Sequence, residues 1–207
     1  MDLKLFDGFH HHLIYNKKSM DELINGLKKK DPAAFKRVME LFKNKIFNYL
    51  RLMVNNDQTA EELTQDTFVK VYFKASSIRT SNLKAWIYAI ATNLARSEFR
   101  KRKIKNLFSL SDVNESHVSC FSNFEDEMML EQMIASLPEK YRIPVVMKEI
   151  NRFTFEEISN ILDKPVGTVK TLVFRGKNQL KKNFSEAGVS RPGTIEVLNR
   201  GVKNEIY

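Results

Sequence analysis

Apolar residues recur at helical spacing through most of the chain, and this pattern predicts a series of amphipathic helices. Residues 20–29 fit a short helix, and Asp31 followed by Pro32 opens a longer one, with an N-cap and a proline at the first helical position. After a polar turn, Asp57 is expected to cap a third helix that ends near Phe73. The chain therefore begins as a succession of short helical hairpins.

A fourth helix is predicted after a polar loop, Lys74–Ser81. Asn82 is expected to cap it, and its apolar residues form one stripe at the i, i+3, i+4 and i+7 positions. The stripe consists of Leu83, Trp86, Ile87, Ile90, Ala91 and Leu94. The four helices together make a unit of about 85 residues, which is enough for one small core.

Helical periodicity stops between residues 106 and 123, where Ser, Asn and Asp predominate as in a linker. It resumes near Phe124, and Pro144 is expected to kink or restart the helix that contains it. The sequence therefore predicts an all-α protein in which a flexible linker joins two small helical domains. The expected segments are an N-terminal extension (1–19), a first domain (20–105), a linker (106–124), a second domain (125–184) and a C-terminal tail (185–207).

A helix-turn-helix is predicted in the second domain. Thr154 and Glu157 are spaced as in a capping box at the start of one helix. Asp163, which tolerates the left-handed conformation, and Pro165 make a short turn before a second helix over 166–182. Two helices joined in this way are typical of proteins whose second helix enters the DNA major groove.

The charge of the chain favours a polyanionic partner. The formal net charge is +9 and the sequence pI is about 9.5, so nucleic acid is the first expectation and an anionic membrane surface the second. The second helix of the helix-turn-helix carries cations and no acid. Its expected DNA-contacting residues are Thr168, Lys170, Thr171, Arg175 and Lys177. A second basic cluster, which includes Arg96, Arg100 and Lys101, ends the fourth helix. The simpler alternative for either cluster is a solvated helix face.

Several other classes of site are disfavoured by the sequence. The single cysteine, Cys120, cannot form an intramolecular disulfide or a thiolate zinc cluster. His10, His11 and His12 are adjacent and have no acid or cysteine to complete a metal site. No P-loop or catalytic carboxylate pair indicates an enzyme, and no apolar run indicates a membrane span. We expect a non-enzymatic cytoplasmic protein without metal, cofactor or membrane insertion.

The helix-turn-helix and the first domain each resemble a segment of one protein family. Residues 137–142, 154–162 and 165–171 resemble region 4 of bacterial sigma-70 family factors, particularly the extracytoplasmic-function (ECF) group. Residues 60–72 resemble the region 2 segment that binds RNA polymerase, and 83–93 the promoter-melting segment that follows. The segments occur in the family's order, with a gap where the family has a linker.

The resemblance implies a sigma factor that binds core RNA polymerase, directs it to promoters through their minus-thirty-five and minus-ten elements, and assists promoter melting. It places polymerase binding on an acidic and polar helix face, Glu61, Glu62, Gln65 and Asp66. It places the capture of flipped-out bases on a loop that includes Ser77, Arg79 and Asn82, with Trp86 beside it, although helical spacing favours core packing for Trp86. It places contacts to the adjoining duplex on Asn93, Arg96, Arg100 and Lys101.

The resemblance also implies an anti-sigma factor that could be anchored in the membrane and would wedge between the two domains. Two residues depart from the family pattern: Ser97 replaces a usual acid, and Leu172 replaces an arginine found in many members. Promoter preference therefore cannot be transferred from relatives. Two other functions stay open from the residues alone, namely a dimeric regulator that uses only the helix-turn-helix and an RNA-binding or nucleic-acid-processing enzyme.

Overall fold

The computed structural model describes the backbone of residues 17–108 and 126–186, and the side chains of residues 19–105 and 131–186. Within these ranges the chain is helical and has no β-strand, which confirms the predicted fold class. The predictions for His10, His11, His12 and Cys120 lie outside the described residues. The α-helices of the described ranges are α1 (Lys17–Lys28), α2 (Pro32–Val54), α3 (Asp57–Lys74), α4 (Leu83–Phe108), α5 (Asp126–Ser136), α6 (Glu139–Val145), α7 (Phe155–Leu162) and α8 (Val166–Glu186).

Local sequence signals set both ends of α2. The Asp31 carboxylate accepts a hydrogen bond from the Ala33 amide at 3.0 Å, and Pro32 occupies the first helical position, as predicted. The helix ends where Asn55 adopts the left-handed conformation, with φ at 50°. Asparagine tolerates this conformation better than most residues, so the chain can reverse there without glycine.

The start of α3 and the loop that follows it differ from the prediction. Asn56, not Asp57, is the N-cap, since its side chain accepts a hydrogen bond from the Thr59 amide at 2.8 Å. Asp57 is the first helical residue, where its charge still favours the helix N-terminus. The predicted polar loop contains one 3₁₀ turn, Ala75–Ser77, which directly continues α3.

Asn82 caps α4 as predicted, because its Oδ1 accepts a hydrogen bond from the Ala85 amide at 2.9 Å. The predicted apolar stripe packs against α2 and α3. Its members divide into a buried row, Leu83, Ile87 and Ala91, and a half-buried row, Trp86, Ile90 and Leu94. The half-buried row forms the edge of the core, and Trp86 packs there, as the helical spacing indicated.

Pro144 changes the winding of the helix that contains it. Proline has no amide hydrogen to donate and its ring crowds the carbonyl four residues earlier. The chain passes through Pro144 within α6 and then widens into one π-helical turn, Val146–Ile150, in which Asn151 donates to the Val146 carbonyl at 3.0 Å. The predicted perturbation is therefore a change of helix type rather than an interruption.

The two helical units pack directly against each other. Helix α4 contacts α7, and α2 contacts α5 and α6. Buried residues of the two units, among them Tyr88 and Phe153, belong to one continuous apolar cluster. A smaller cluster holds α5, α6 and α8 together and consists of Met133, Leu137, Val145, Leu180 and Phe184.

Candidate nucleic-acid interface

The helix-turn-helix is built from local bonds between residues close in sequence. The Glu157 amide donates to Thr154 Oγ1 at 3.1 Å, and Glu157 Oε2 accepts from the Thr154 amide at 2.8 Å. These reciprocal bonds form the predicted capping box at the start of α7. Asp163 ends α7 in the left-handed conformation, with φ at 51°, and so directs the chain into α8.

Helix α8 has one buried face and one exposed face. Val169 and Val173 are buried, and they anchor the helix on the second unit. The exposed face carries four of the five residues predicted to contact DNA, Thr168, Lys170, Thr171 and Arg175. Gly167 precedes them and has no heavy atom near the position that a Cβ would take, so the start of the helix is open to a ligand.

A further side chain, which sequence reasoning missed, lies on the exposed face of α8. Phe174 is 56% exposed and follows Lys170 by four residues and Thr171 by three. Residues at this spacing are neighbours on a helix surface. An aromatic residue within an amphipathic pattern is ordinarily assigned to the core, and only its position off the valine row distinguishes Phe174.

Lys177 does not face solvent, which corrects its predicted role in DNA contact. It is 4% exposed, and its Nζ lies 2.9 Å from Glu149 Oε1 in an ion pair that joins α8 to the π-helical turn. A buried ammonium with a close carboxylate partner cannot reach a phosphate unless the helix is displaced. Lys177 is therefore a structural cation of the second unit.

Gly176, next to Lys177, allows α8 to lie close against α6. A Cβ at this position would stand 2.5 Å from Val145 Cγ2 and 3.1 Å from Tyr141 Cβ. Both distances are shorter than ordinary van der Waals contacts, so no larger residue fits without displacing the helix. The depth at which α8 is seated is thus fixed by its buried face alone.

The predicted strand-capturing surface of the first unit is partly open and partly covered. Its exposed members are Ser77, Arg79, Asn93, Arg100 and Lys101, and its half-buried members are Asn82, Trp86 and Arg96. The exposed cations lie along α4, as a backbone-binding surface requires. The covered part is the end of the surface nearest the loop.

The second unit covers this end of the surface through two polar contacts. Asn82 Nδ2 donates to Glu157 Oε1 at 2.7 Å, and Lys84 Nζ donates to the Asn151 carbonyl at 2.7 Å. Burial lowers the pKa of the Lys84 ammonium, while the nearby Glu157 carboxylate acts in the opposite direction. Glu157 thus serves its own helix through Oε2 and the first unit through Oε1.

An aromatic contact lies directly beside these polar bonds. The Phe153 ring packs edge to face against Tyr88, with centroids 4.9 Å apart, and Lys84 Nζ lies 4.2 Å from the Phe153 centroid. Asn151 Nδ2 donates to the Tyr88 hydroxyl at 3.2 Å. Lys84, Tyr88 and the turn of residues 151–157 therefore form one contact, which we call the seam.

Arg142 joins the two units at the other side of their interface. Its guanidinium donates to the Met53 carbonyl at the end of α2, and also to the Ala135 and Leu137 carbonyls of its own unit. Burial lowers the pKa of Arg142 to about 10. The bond to Met53 places a cation at the C-terminus of α2, where the helix dipole favours it.

The predicted polymerase-binding residues share an exposed face of α3. Glu61, Glu62, Gln65 and Asp66 are all exposed. Toward the C-terminal end of the helix, Val69 is 53% and Phe73 is 68% exposed, and both border an apolar groove between α2 and α3. The sequence analysis did not include these two side chains, because it assigned the face by charge alone.

Two family models match the chain in the order of its two units. The model described as Sigma-70 region 2 matches residues 38–104, and the model described as Sigma-70, region 4 matches residues 127–180. The chain belongs to the sigma-70 family. The first unit is thus its region 2, the second its region 4, and α8 the recognition helix of the helix-turn-helix.

Relatives place this sigma factor in the ECF group. It is 31% identical to the ECF RNA polymerase sigma factor SigW of Bacillus subtilis over 178 residues, which cover 79% of this chain and 95% of that protein. It is 26% identical to the RNA polymerase sigma-H factor of Pseudomonas aeruginosa, over 78% of this chain and 91% of that one. Both matches span nearly the whole length of the relative.

Two solved structures are similar to this fold, each of a complex. The sigma factor RpoE of Bartonella quintana, in complex with the anti-sigma factor NepR, matches with a TM-score of 0.63 at 27% identity and covers 76% of this chain and 98% of that one. CnrH, in complex with the cytosolic domain of CnrY, matches with a TM-score of 0.63 at 16% identity, over 80% and 96% of the two chains, and shows the same fold.

The ECF sigma factor is a promoter-directing factor of transcription initiation, which confirms the predicted function. Its family consists of non-catalytic initiation factors that bind core RNA polymerase and promoter DNA. In the ranges that the structure describes, no helix is both long and apolar enough to cross a membrane.

Proposed function

We propose that this sigma factor divides its work among three surfaces: α3 for core RNA polymerase, α4 with its preceding loop for the minus-ten element, and α8 for the minus-thirty-five element. The observation that carries the proposal is the exposed recognition face of α8, with two hydroxyls and two cations on the side opposite the valine row. The factor recognises and opens promoters in the cytoplasm and catalyses no reaction itself.

The polymerase-binding surface consists of the acidic and polar residues Glu61, Glu62, Gln65 and Asp66, continued by the exposed apolar side chains Val69 and Phe73. An acidic patch in a protein of net charge +9 is suited to a protein partner rather than to DNA. Apolar side chains beside it supply the desolvated contact area that charged residues lack. The expected partner is therefore a helical surface with basic residues beside apolar ones.

The minus-ten surface holds unpaired bases near the loop and the duplex along α4. Ser77, Arg79 and Asn82 lie at the loop end, and Asn93, Arg96, Arg100 and Lys101 follow along the helix. Trp86 contributes only its exposed edge, since it packs against the core. Capture of flipped bases combined with cationic contacts to the backbone opens DNA without a chemical fuel.

The minus-thirty-five surface is the exposed face of α8. Thr168, Lys170 and Thr171 lie in the first turns of the helix, which enter the major groove in helix-turn-helix proteins. Arg175 extends the face by one turn, and Phe174 adds an apolar surface that suits a thymine methyl group. Lys177 is left out of this set because it is buried in an ion pair.

Transcription in vitro tests the proposal. Purified protein is mixed with core polymerase of the same organism and a promoter selected by the holoenzyme from a random library. We expect start-site-specific transcripts that core polymerase alone does not make. Absence of a complex with core polymerase, together with dimeric operator binding by the pure protein, would instead identify a stand-alone regulator.

Alanine substitutions on α8 provide a residue-level prediction. Thr168→Ala or Arg175→Ala should weaken binding of the holoenzyme to the selected promoter by about 1 to 3 kcal/mol and relax preference at the contacted base pair. Gln179→Ala, on the exposed face farther along α8, is the matched control and should change neither quantity. Unchanged base preference in the first two variants would remove those residues from the recognition surface.

We also propose an anti-sigma factor as a partner, which could be anchored in the membrane. The similar solved structure of RpoE from Bartonella quintana is of a complex with an anti-sigma factor, which supports the proposal. Capture of interacting proteins from cells, with the transcription assay as readout, tests it. A captured protein that suppresses transcription is the expected result, and capture of core polymerase subunits alone would count against it.

A further inference from the structure

The seam places on region 2 the two kinds of group that a nucleotide presents, namely a planar ring and an anion. The ring is that of Phe153, which lies 4.2 Å from Lys84 Nζ and 4.9 Å from the Tyr88 ring. The anion is the Glu157 carboxylate, which accepts from Asn82 Nδ2 at 2.7 Å. A base stacked on an aromatic side chain and a phosphate near a cation would use the same partners.

The contact is also incompatible with simultaneous binding of both promoter elements. Glu157 touches Asn82, and the chain from Glu157 to Thr168 is 11 residues long. It spans about 40 Å at most even when fully extended. Elements near positions minus-thirty-five and minus-ten are about 25 base pairs apart, or about 85 Å at a rise of about 3.4 Å per base pair. The seam must therefore open before the two domains can occupy their elements.

We propose that the seam is an autoinhibitory contact, in which the region 4 turn of residues 151–157 occupies the base-capturing end of region 2 until core polymerase and promoter DNA separate the domains. The inference rests on the proposed minus-ten surface and adds to it Lys84 and Tyr88 as groups that become available on opening. Region 4 thus competes with unpaired DNA for Asn82 and Lys84 within one molecule.

The chemistry of the seam suits a contact that opens reversibly. Its bonds join an amide to a carboxylate, an ammonium to a carbonyl and an amide to a phenol, through Asn82, Lys84 and Tyr88. Domain interfaces with this polar character resemble transient protein complexes rather than permanent cores. Every group released at the seam can be satisfied by water or by the sugar, phosphate and base edges of DNA.

Distance measurement on the full chain tests whether the free protein is closed. Cysteines are introduced at the exposed positions Asn48 in α2 and Asn160 in α7, Cys120 is replaced by serine, and both sites are spin-labelled. The free chain should give one short distance, which lengthens by more than about 20 Å in the complex with core polymerase and promoter. A free chain that already gives the long distance overturns the proposal.

Charge reversal at the seam tests competition with DNA. Glu157→Lys places a cation beside Lys84, whereas Glu156→Lys makes the same change of charge at the exposed neighbouring position. The probe is a single-stranded 20-mer of random sequence, bound by the protein without polymerase. Glu157→Lys should bind it at least fivefold more tightly than Glu156→Lys, because only the former opens the seam.

A milder pair separates opening from misfolding. Glutamine can take the place of glutamate in a capping box, so Glu157→Gln should leave α7 intact and still bind the probe more tightly than Glu156→Gln. Equal affinities within both pairs would overturn the proposal. Transcription by the wild-type holoenzyme is measured in parallel, so that a sigma factor that works without a closed state is distinguished from a chain that is not active at all.

Discussion

Replacement of Lys177 by alanine is expected to lower the free energy of unfolding by about 3 to 5 kcal/mol, because it leaves the Glu149 carboxylate largely buried without its partner. The two side chains are only 5% and 10% exposed, so water cannot replace the lost ammonium. Urea denaturation followed by circular dichroism measures the change as a shift of the midpoint. The same variant should leave the salt dependence of promoter binding unaltered, because Lys177 contacts no phosphate.

The control is a second lysine of the same helix whose ion pair is exposed. Lys182 pairs with Glu186 at 3.6 Å, with side chains 68% and 65% exposed, and Lys182→Ala should change stability by less than about 1 kcal/mol. A double replacement, Lys177→Met with Glu149→Leu, should restore most of the lost stability, since both charges are then removed together. A Lys177→Ala protein as stable as the wild type, with weaker DNA binding, would return Lys177 to the DNA surface.

Charge reversal on α3 is expected to have the largest effect on function. Asp66→Lys should weaken binding to core polymerase at least tenfold, or about 1.4 kcal/mol, because it places like charges together in the proposed interface. Transcription at limiting sigma factor should fall in proportion. Fluorescence anisotropy of the labelled sigma factor with core polymerase gives the affinity directly.

Glu22→Lys on α1 is the matched control, since Glu22 is also an exposed acid and its reversal changes the net charge equally. It should leave polymerase binding unchanged. If both variants lose the same affinity, overall charge rather than a defined surface governs docking. If neither loses affinity, polymerase binds elsewhere on region 2.

Features that depend on residues close in sequence could be predicted well. The capping box of Thr154 and Glu157 and the left-handed turn at Asp163 need only neighbours within a few residues, and both occur as expected. The exchange of Asn56 for Asp57 as N-cap is an error of one position between two residues that both cap helices. Local chemistry thus determines where the helices begin and end, to within about a residue.

Features that depend on distant residues could not be predicted. Lys177 was assigned to the DNA surface by its charge and helical position, whereas its burial depends on Glu149, 28 residues earlier in the chain. Asn82 was correctly expected to cap α4, but its contact with Glu157 joins residues 75 positions apart. Phe174 was overlooked because an exposed aromatic side chain cannot be distinguished from a core residue by spacing alone. The resemblance to a family identified the function but supplied none of these contacts.

The division of α8 into two independent faces allows its recognition specificity to evolve separately from its stability. Val169, Val173 and Gly176 set how the helix is seated, and the exposed residues take no part in that packing. A substitution at Thr168 or Arg175 should therefore alter which promoters are chosen while the protein folds as before. The same property makes α8 a suitable helix for engineering, in which libraries confined to the exposed face could retarget the factor to new promoters without loss of folded protein.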